Sequence, residues 1–259
     1  MKIFARRALC AALTLALVPA APAAADAVHY SSDIPPALDR ATFTPVAAPR
    51  SILIDAASAM LYMMENGRVV DSMKVIVGKP GTATPELKTS LTYATINPYW
   101  HLSYDEVRTL TAPNVLKLGI SYLTDRGYEV VTSFADDAGI IDPRTVDWQA
   151  VADGREKVLV RQRPGPANSL GQVKFGLASG NGIFLHDTPK KELFAQDDRD
   201  LSHGCVRLED APRLARWLLG DSVQMDSSAP DEQIALQQYV PVTITYLPPQ
   251  AQMQLAALR

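Results

Sequence analysis

Within this 259-residue chain, the segment Leu201-Ser202-His203-Gly204-Cys205-Val206-Arg207 holds the densest set of reactive side chains. A thiol becomes a nucleophile when a base or a cation stands near it. Acyl transfer also needs donors for the oxyanion of a tetrahedral intermediate. Gly204 allows a close backbone turn just before the thiol, so that the N–H of Cys205 can face a reacting carbonyl. A second segment, Ile183-Phe184-Leu185-His186-Asp187-Thr188, places His186 at the end of an apolar strand, where it can meet a loop-borne thiol. A lone histidine is more often a surface or hydrogen-bonded core residue. Here the four histidines are His29, His101, His186 and His203, and two of them lie near the cysteine.

Other uses of the same residues are weaker. His186, His203 and Cys205 are possible zinc ligands, but no helical His-x-x-x-His pair and no second nearby cysteine support a metal site. The chain has two cysteines, and the first, Cys10, lies in an N-terminal segment that reads as an export signal. Lys2, Arg6 and Arg7 are its basic region, Ala8–Val18 its apolar stretch, and Ala23-Ala24-Ala25 its cleavage site before Asp26. The apolar stretch falls short of the roughly 20 residues that span a bilayer, so no membrane anchor is expected after cleavage. Cys205 is then the single thiol of the mature chain, without a resolving partner for redox chemistry. It is either a small buried hydrophobe or a reactive group.

The elements that must position these residues follow from patterning. Hydrophobic residues make up 47% and charged residues 20%, enough for a substantial core. The net charge of -3 offers no global field for nucleic acid or anionic lipid. Residues 26–50, rich in proline and alanine, read as a linker or N-terminal arm. Strands are expected at Ser51–Asp55, Ala59–Met64 and Val69–Val77, with Asn66-Gly67 as the tight turn of a hairpin. Further strands are expected at Leu91–Ile96, Lys157–Arg163, Gln172–Leu177, Gly182–His186 and Tyr239–Leu247. Residues 103–157 turn helical and read as an insertion. Asp210–Gly220 is a helix with Asp210 as N-cap, Pro212 in its first turn and Gly220 as its stop. Residues 248–259 read as a tail.

Fifteen residues separate His186 from Ser202-His203-Gly204-Cys205-Val206-Arg207. That spaced pattern resembles the signature of the L,D-transpeptidase (YkuD-type) catalytic domain. Val77-Gly78-Lys79-Pro80-Gly81-Thr82 is similar to the end of the family's opening meander, and Asn97-Pro98-Tyr99-Trp100, Arg161-Gln162-Arg163-Pro164-Gly165-Pro166 and Leu185-His186-Asp187-Thr188-Pro189 are similar to the branch with a capping insertion. The resemblance implies a mainly β, sandwich-like catalytic domain over residues 51–247. The helical insertion at about 103–157 would be its lid, and a helix would follow the cysteine. It implies Cys205 as nucleophile, His186 as proton donor and acceptor, and His203 with Gly204 as the orienting, oxyanion-hole loop. Ser202 would be a supporting hydrogen-bonder. Arg207, in place of the asparagine of many members, is a candidate for a substrate carboxylate or for an ion pair with Glu209 or Asp210. Trp100, Tyr104 and Tyr122 are candidates for lining a peptide groove or for packing.

The implied activity is cysteine acyl transfer on peptidoglycan stem peptides in the periplasm of a Gram-negative bacterium. A tetrapeptide stem is the donor, D-alanine leaves, and a stem or protein amine is the acceptor, giving 3-3 crosslinks. No metal or organic cofactor is implied, and no nucleic-acid partner. Hydrolysis of the same bonds, release of a wall-attached protein, a secreted thiol-dependent effector and a non-catalytic wall-binding module are the alternatives.

Overall fold

A computed structural model of the protein describes residues 49–178, 182–221 and 229–256. The signal and most of the proline-rich arm, residues 1–48, lie outside the described residues. Alternating apolar residues at the start of the described chain build three consecutive antiparallel strands. These are β1 (Arg50–Asp55), β2 (Met60–Glu65) and β3 (Arg68–Gly78). Asn66 and Gly67 join β2 to β3 with positive φ angles of 50° and 78°, as the Asn-Gly pair requires. β4 (Leu87–Ile96) begins earlier than its alternation indicates.

The main sheet has nine strands in the order β11-β3-β12-β10-β9-β4-β13-β1-β2, and β2 also pairs with β3, so the circuit closes on itself. Its later members are β9 (Val173–Leu177), β10 (Leu185–His186), β11 (Asp200–Ser202), β12 (Val206–Leu208) and β13 (Glu232–Thr245). β13 starts seven residues before its sequence pattern suggests, because Glu232–Ala235 continue the pairing with β4 past an irregularity before Val240. The inward faces meet in one core that includes Ile54, Leu61, Val75, Phe175, Leu185 and Val206. At roughly 25 cal/mol per Å² of apolar surface removed from water, such a core dominates the favourable side of folding.

Two helices lie against this sheet. α5 (Ala211–Leu219) starts where Asp210 Oδ1 accepts the Arg213 N–H at 2.9 Å, and it stops at Gly220, with φ +88°. Leu214 is fully buried in the core, and Trp217 and Leu218 pack on it. Residues 249–256, expected as part of a tail, form α6 (Pro249–Ala256), which buries Leu255 against Tyr62 and Val69.

The insertion carries more than helices. α1 (Tyr104–Glu106) opens with a reciprocal cap: Ser103 Oγ accepts the Glu106 N–H, and Glu106 Oε2 accepts the Ser103 N–H. A π-helical stretch, Val107–Thr111, leads into α2 (Ala112–Leu118), followed by α3 (Ser121–Thr124) and α4 (Trp148–Ala152). Its strands form a second, four-stranded sheet in the order β5 (Trp100–His101), β8 (Leu159–Gln162), β6 (Tyr128–Val131), β7 (Ile140–Ile141). This sheet draws in residues on both sides of 103–157. Lys157–Arg163, read as a strand of the main domain, contributes β8 to the insertion's sheet instead. A separate core of Leu102, Val107, Val115, Leu123, Trp148 and Val160 supports it. Among the described residues no helix is long and apolar enough to cross a membrane.

Candidate active site

β10 and β12 run parallel, with Leu185 opposite Val206 and His186 opposite Arg207. Leu185, Val206 and Leu208 are fully buried in the core. Because strand side chains alternate, His186, Cys205 and Arg207 occupy the other face together. β9 continues the row, with Lys174 opposite His186. Cys205 enters β12 where the Val206 N–H donates to the Phe184 carbonyl at 3.0 Å. The spaced His and Cys motifs therefore become neighbours on adjacent strands.

His186 is 5% exposed, and its Nδ1 lies 2.6 Å from the Asp187 carbonyl. A carbonyl only accepts, so Nδ1 carries the proton and Nε2 presents the lone pair. Burial, with Arg207 and Lys174 nearby, pushes the imidazole down to about 4 despite the hydrogen bond to Asp187. The ring is neutral at pH 7 and able to accept a proton. Asp187 is itself held by Lys191 Nζ at 2.6 Å and the Gln172 N–H at 2.9 Å.

Cys205 is half-buried, with Sγ 3.6 Å from the Gly182 carbonyl. Burial is the main cause that pushes its thiol up, and the Glu106 carboxylate on the insertion adds to it. The Phe184 N–H and the Arg207 guanidinium pull the other way, less strongly. Both members of the pair are thus neutral at rest. Desolvation outweighs the nearby cation.

The loop before the thiol is tightly held. Ser202, 1% exposed, donates Oγ–H to the Cys205 carbonyl at 2.6 Å and accepts the Gly204 N–H at 3.0 Å. Thr84 Oγ1 donates to the Gly204 carbonyl at 2.8 Å and accepts the Gly78 N–H at 2.9 Å. Gly204 has φ +121°, and a Cβ there would press on Ile183 at 3.2 Å. Its N–H is taken by Ser202, whereas that of Cys205 has no hydrogen-bond partner among the described residues. The Cys205 amide is the oxyanion donor this geometry offers.

Not every candidate converges here. His203 is exposed, with Nε2 3.3 Å from Lys79 Nζ, and no hydrogen bond joins its ring to Cys205 or His186. Arg207 forms no ion pair with Glu209 or Asp210: Glu209 accepts the Lys74 N–H, and Asp210 caps α5. Trp100 packs into the insertion's core against Tyr128, as does Tyr122. Tyr104 lies under Lys157 Nζ, 5.1 Å from its ring centre, beside a cleft of about 400 Å³ whose lining does not include Cys205. A larger cleft of about 1050 Å³, lined by Gln172, Asp187, Thr188 and Lys191 among others, adjoins the site through Asp187 but includes neither His186 nor Cys205. No group of three or more His, Cys, Asp or Glu among the described residues could hold a metal ion.

Four further residues meet at the site without having been singled out as candidates. Thr84 and Glu106 arrive from segments far away in sequence. Lys174 carried a faint signal, as the one charged residue in the apolar strand Val173–Leu177. Asp187 stood in the quoted motif, without a role.

Comparison with known proteins finds relatives of this chain. Residues 49–235 match the YkuD family model, the L,D-transpeptidase catalytic domain. A Haemophilus influenzae protein described as "Putative L,D-transpeptidase" is 31% identical over 171 residues, covering 66% of this chain and 34% of its own. The chain thus spans about a third of that relative's length. An L,D-transpeptidase from Mycobacterium smegmatis aligns at 14% identity with a TM-score of 0.36, covering 76% of this chain and 58% of its own. L,D-transpeptidase 1 of Mycobacterium tuberculosis aligns at 12% identity with a TM-score of 0.31, covering 76% and 60%.

Proposed function

The chain belongs to the L,D-transpeptidase (YkuD) catalytic-domain family, and from that premise we propose that it forms 3-3 crosslinks in peptidoglycan through a Cys205 thioester. One observation carries this reading: a lone-pair nitrogen of neutral His186, fixed by the Asp187 carbonyl, shares a sheet face with the only cysteine described. In the proposed acylation, His186 Nε2 takes the thiol proton as Sγ attacks the carbonyl of the L-centre residue in a tetrapeptide stem. The Cys205 N–H stabilises the oxyanion, a contribution typically worth about 3 kcal/mol. The C–N bond breaks, His186 returns the proton to the departing D-alanine amine, and the acyl group stays on sulfur. An acceptor amine then gives its proton to His186 and displaces the thiol. Arg207, beside the thiol, is a candidate for a stem carboxylate.

The insertion serves this chemistry as a lid, since Glu106 on α1 is close enough to bias the thiol electrostatically. The proposal includes export: cleavage after Ala25 would release a periplasmic protein beginning at Asp26, which N-terminal sequencing of the periplasmic fraction would reveal.

The decisive experiment incubates the purified protein with disaccharide-tetrapeptide and resolves products by mass spectrometry. Crosslinked dimers are expected, and Cys205→Ala should abolish them. Tripeptide without dimer would replace transfer by hydrolysis. Neither product, with Cys205→Ala indistinguishable from the parent, would leave a wall-binding module.

A further inference from the structure

Across the face of the main sheet that points away from its core, charged and reactive side chains stand in strand order. Cys205 and Arg207 belong to the β12 edge of the site, His186 to β10 and Lys174 to β9. Thr95 on β4 stands opposite Lys174. Neighbouring strands lie about 4.8 Å apart, so Arg207, His186 and Lys174 are spaced in steps of that size, with the nucleophile Cys205 two residues before Arg207 on the same face.

Lys174 is an unusual cation. Its neighbours Val173 and Phe175 are fully buried in the core, yet its own side chain reaches the opposite face, with Nζ 5.1 Å from the centre of the Phe184 ring. Among the described residues no carboxylate lies within ion-pairing distance of it. The titratable groups around it are His186, its register partner, and Asp231, which attracts it from farther away while accepting the Tyr99 N–H at 3.1 Å. Tyr93 and His101 share the neighbourhood of Asp231. A half-buried ammonium without a close counter-ion is costly unless something anionic occupies the site during function.

We propose that Lys174 binds the free C-terminal carboxylate of the donor stem and so restricts the donor to peptides ending one residue beyond the acylated centre. This inference rests on the acyl-transfer reading above. In that reaction the scissile nitrogen must face His186. The departing residue's carboxylate carbon lies two bonds beyond that nitrogen, about 2.5 Å away. A substrate running from Cys205 across His186 therefore brings its terminal carboxylate towards the next strand, where Lys174 stands. Arg207 is on the opposite flank of His186, beside the thiol, and cannot serve the same end of the substrate. Lys174 stays protonated throughout: the C–N bond breaks, the C–S bond forms, and the thiol proton travels through His186 to the amine.

The test compares two synthetic donors on the purified full protein, disaccharide-tetrapeptide with a free terminal carboxylate and the same molecule as the terminal carboxamide. The readout is kcat/KM for release of D-alanine and of D-alaninamide. A charge-assisted hydrogen bond of this kind corresponds to a preference of about 10- to 100-fold for the acid. Lys174→Met should lose that factor on the acid and keep its rate on the amide, and Lys174→Arg should retain most of the preference. Equal use of both donors by the unmodified protein would overturn the assignment while leaving acyl transfer intact. So would an equal loss on both donors in Lys174→Met. The comparison on the unmodified protein stands even if Lys174→Met fails to fold. If the unmodified protein consumes neither donor, the acyl-transfer reading fails first and this inference falls with it.

Discussion

At Cys205 and His186 the surroundings favour the uncharged form of each side chain, which has a kinetic and a thermodynamic consequence. A neutral thiol beside a neutral imidazole reacts by proton transfer during attack, so kcat/KM for acylation should be flat from about pH 5.5 to 8. A rising limb centred between pH 6 and 7 would instead reveal an ordinary histidine. His186 also links folding to pH. Its folded value of about 4 lies below the unfolded value near 6.5, so the folded state binds fewer protons between them. Stability should be complete above pH 6.5 and fall as pH drops toward 4, by up to about 3 kcal/mol. His186→Asn should flatten denaturant midpoints across that window, and an unchanged slope would assign the acid sensitivity to other groups. Thr84 acts at the same scale. Thr84→Val strands the Gly78 N–H and the Gly204 carbonyl, at a cost of about 1–3 kcal/mol. A matching fall in melting temperature, with slower acylation, is the expected result.

Elements place these residues, and their ends are where substitution is most informative. Glu106 sits in the first turn of α1, where its carboxylate closes a cap with Ser103 and also opposes thiolate formation at Cys205. Glu106→Gln keeps the cap, because glutamine serves equally at that position, but removes the charge. Alkylation of Cys205 by iodoacetamide at pH 7.5 should then become faster. An unchanged rate would mean that α1 stands clear of the thiol in solution. α6 tests a different contact. Leu255→Ala should destabilise the fold by about 2 kcal/mol through exposure of Tyr62 and Val69. The helix lies apart from the sheet face of the site, so acylation rates should hold.

Among the described residues two large hydrophobic cores stand out beside the small cluster under α6. The main sheet and α5 share one, and the insertion has its own, with Trp148 near its centre and the Arg161–Glu129 pair at 2.9 Å largely out of solvent. Removing Trp148 should open the insertion before the main sheet. Trp148→Ala is expected to cost about 3–5 kcal/mol locally. Hydrogen exchange should then accelerate over residues 102–160 while β3, β9 and β12 keep their protection. Uniform acceleration everywhere would show that the two cores melt as one.

Local chemistry made much of this protein legible in advance. The Asn66-Gly67 turn, the caps of α5 at Asp210 and Gly220, and the alternation of β3 and β9 depend on near neighbours in the chain, so their residues declare them. The His186 and Cys205 motifs also stood out, because residue type and spacing are themselves local. What tertiary structure decided is which of those groups face one another and in what charge state. Parallel pairing of β10 with β12 put His186 beside Arg207 and near the thiol, turned His203 out to Lys79, and gave Ser202 and Thr84 the task of holding Gly204. The second sheet of the insertion joins Trp100–His101 to Leu159–Gln162, a pairing that no short-range pattern encodes. Lys174 is the clearest case. In sequence it is one charge in an apolar strand; in the fold it becomes an ammonium one strand from His186, because strand order is set by long-range pairing and burial.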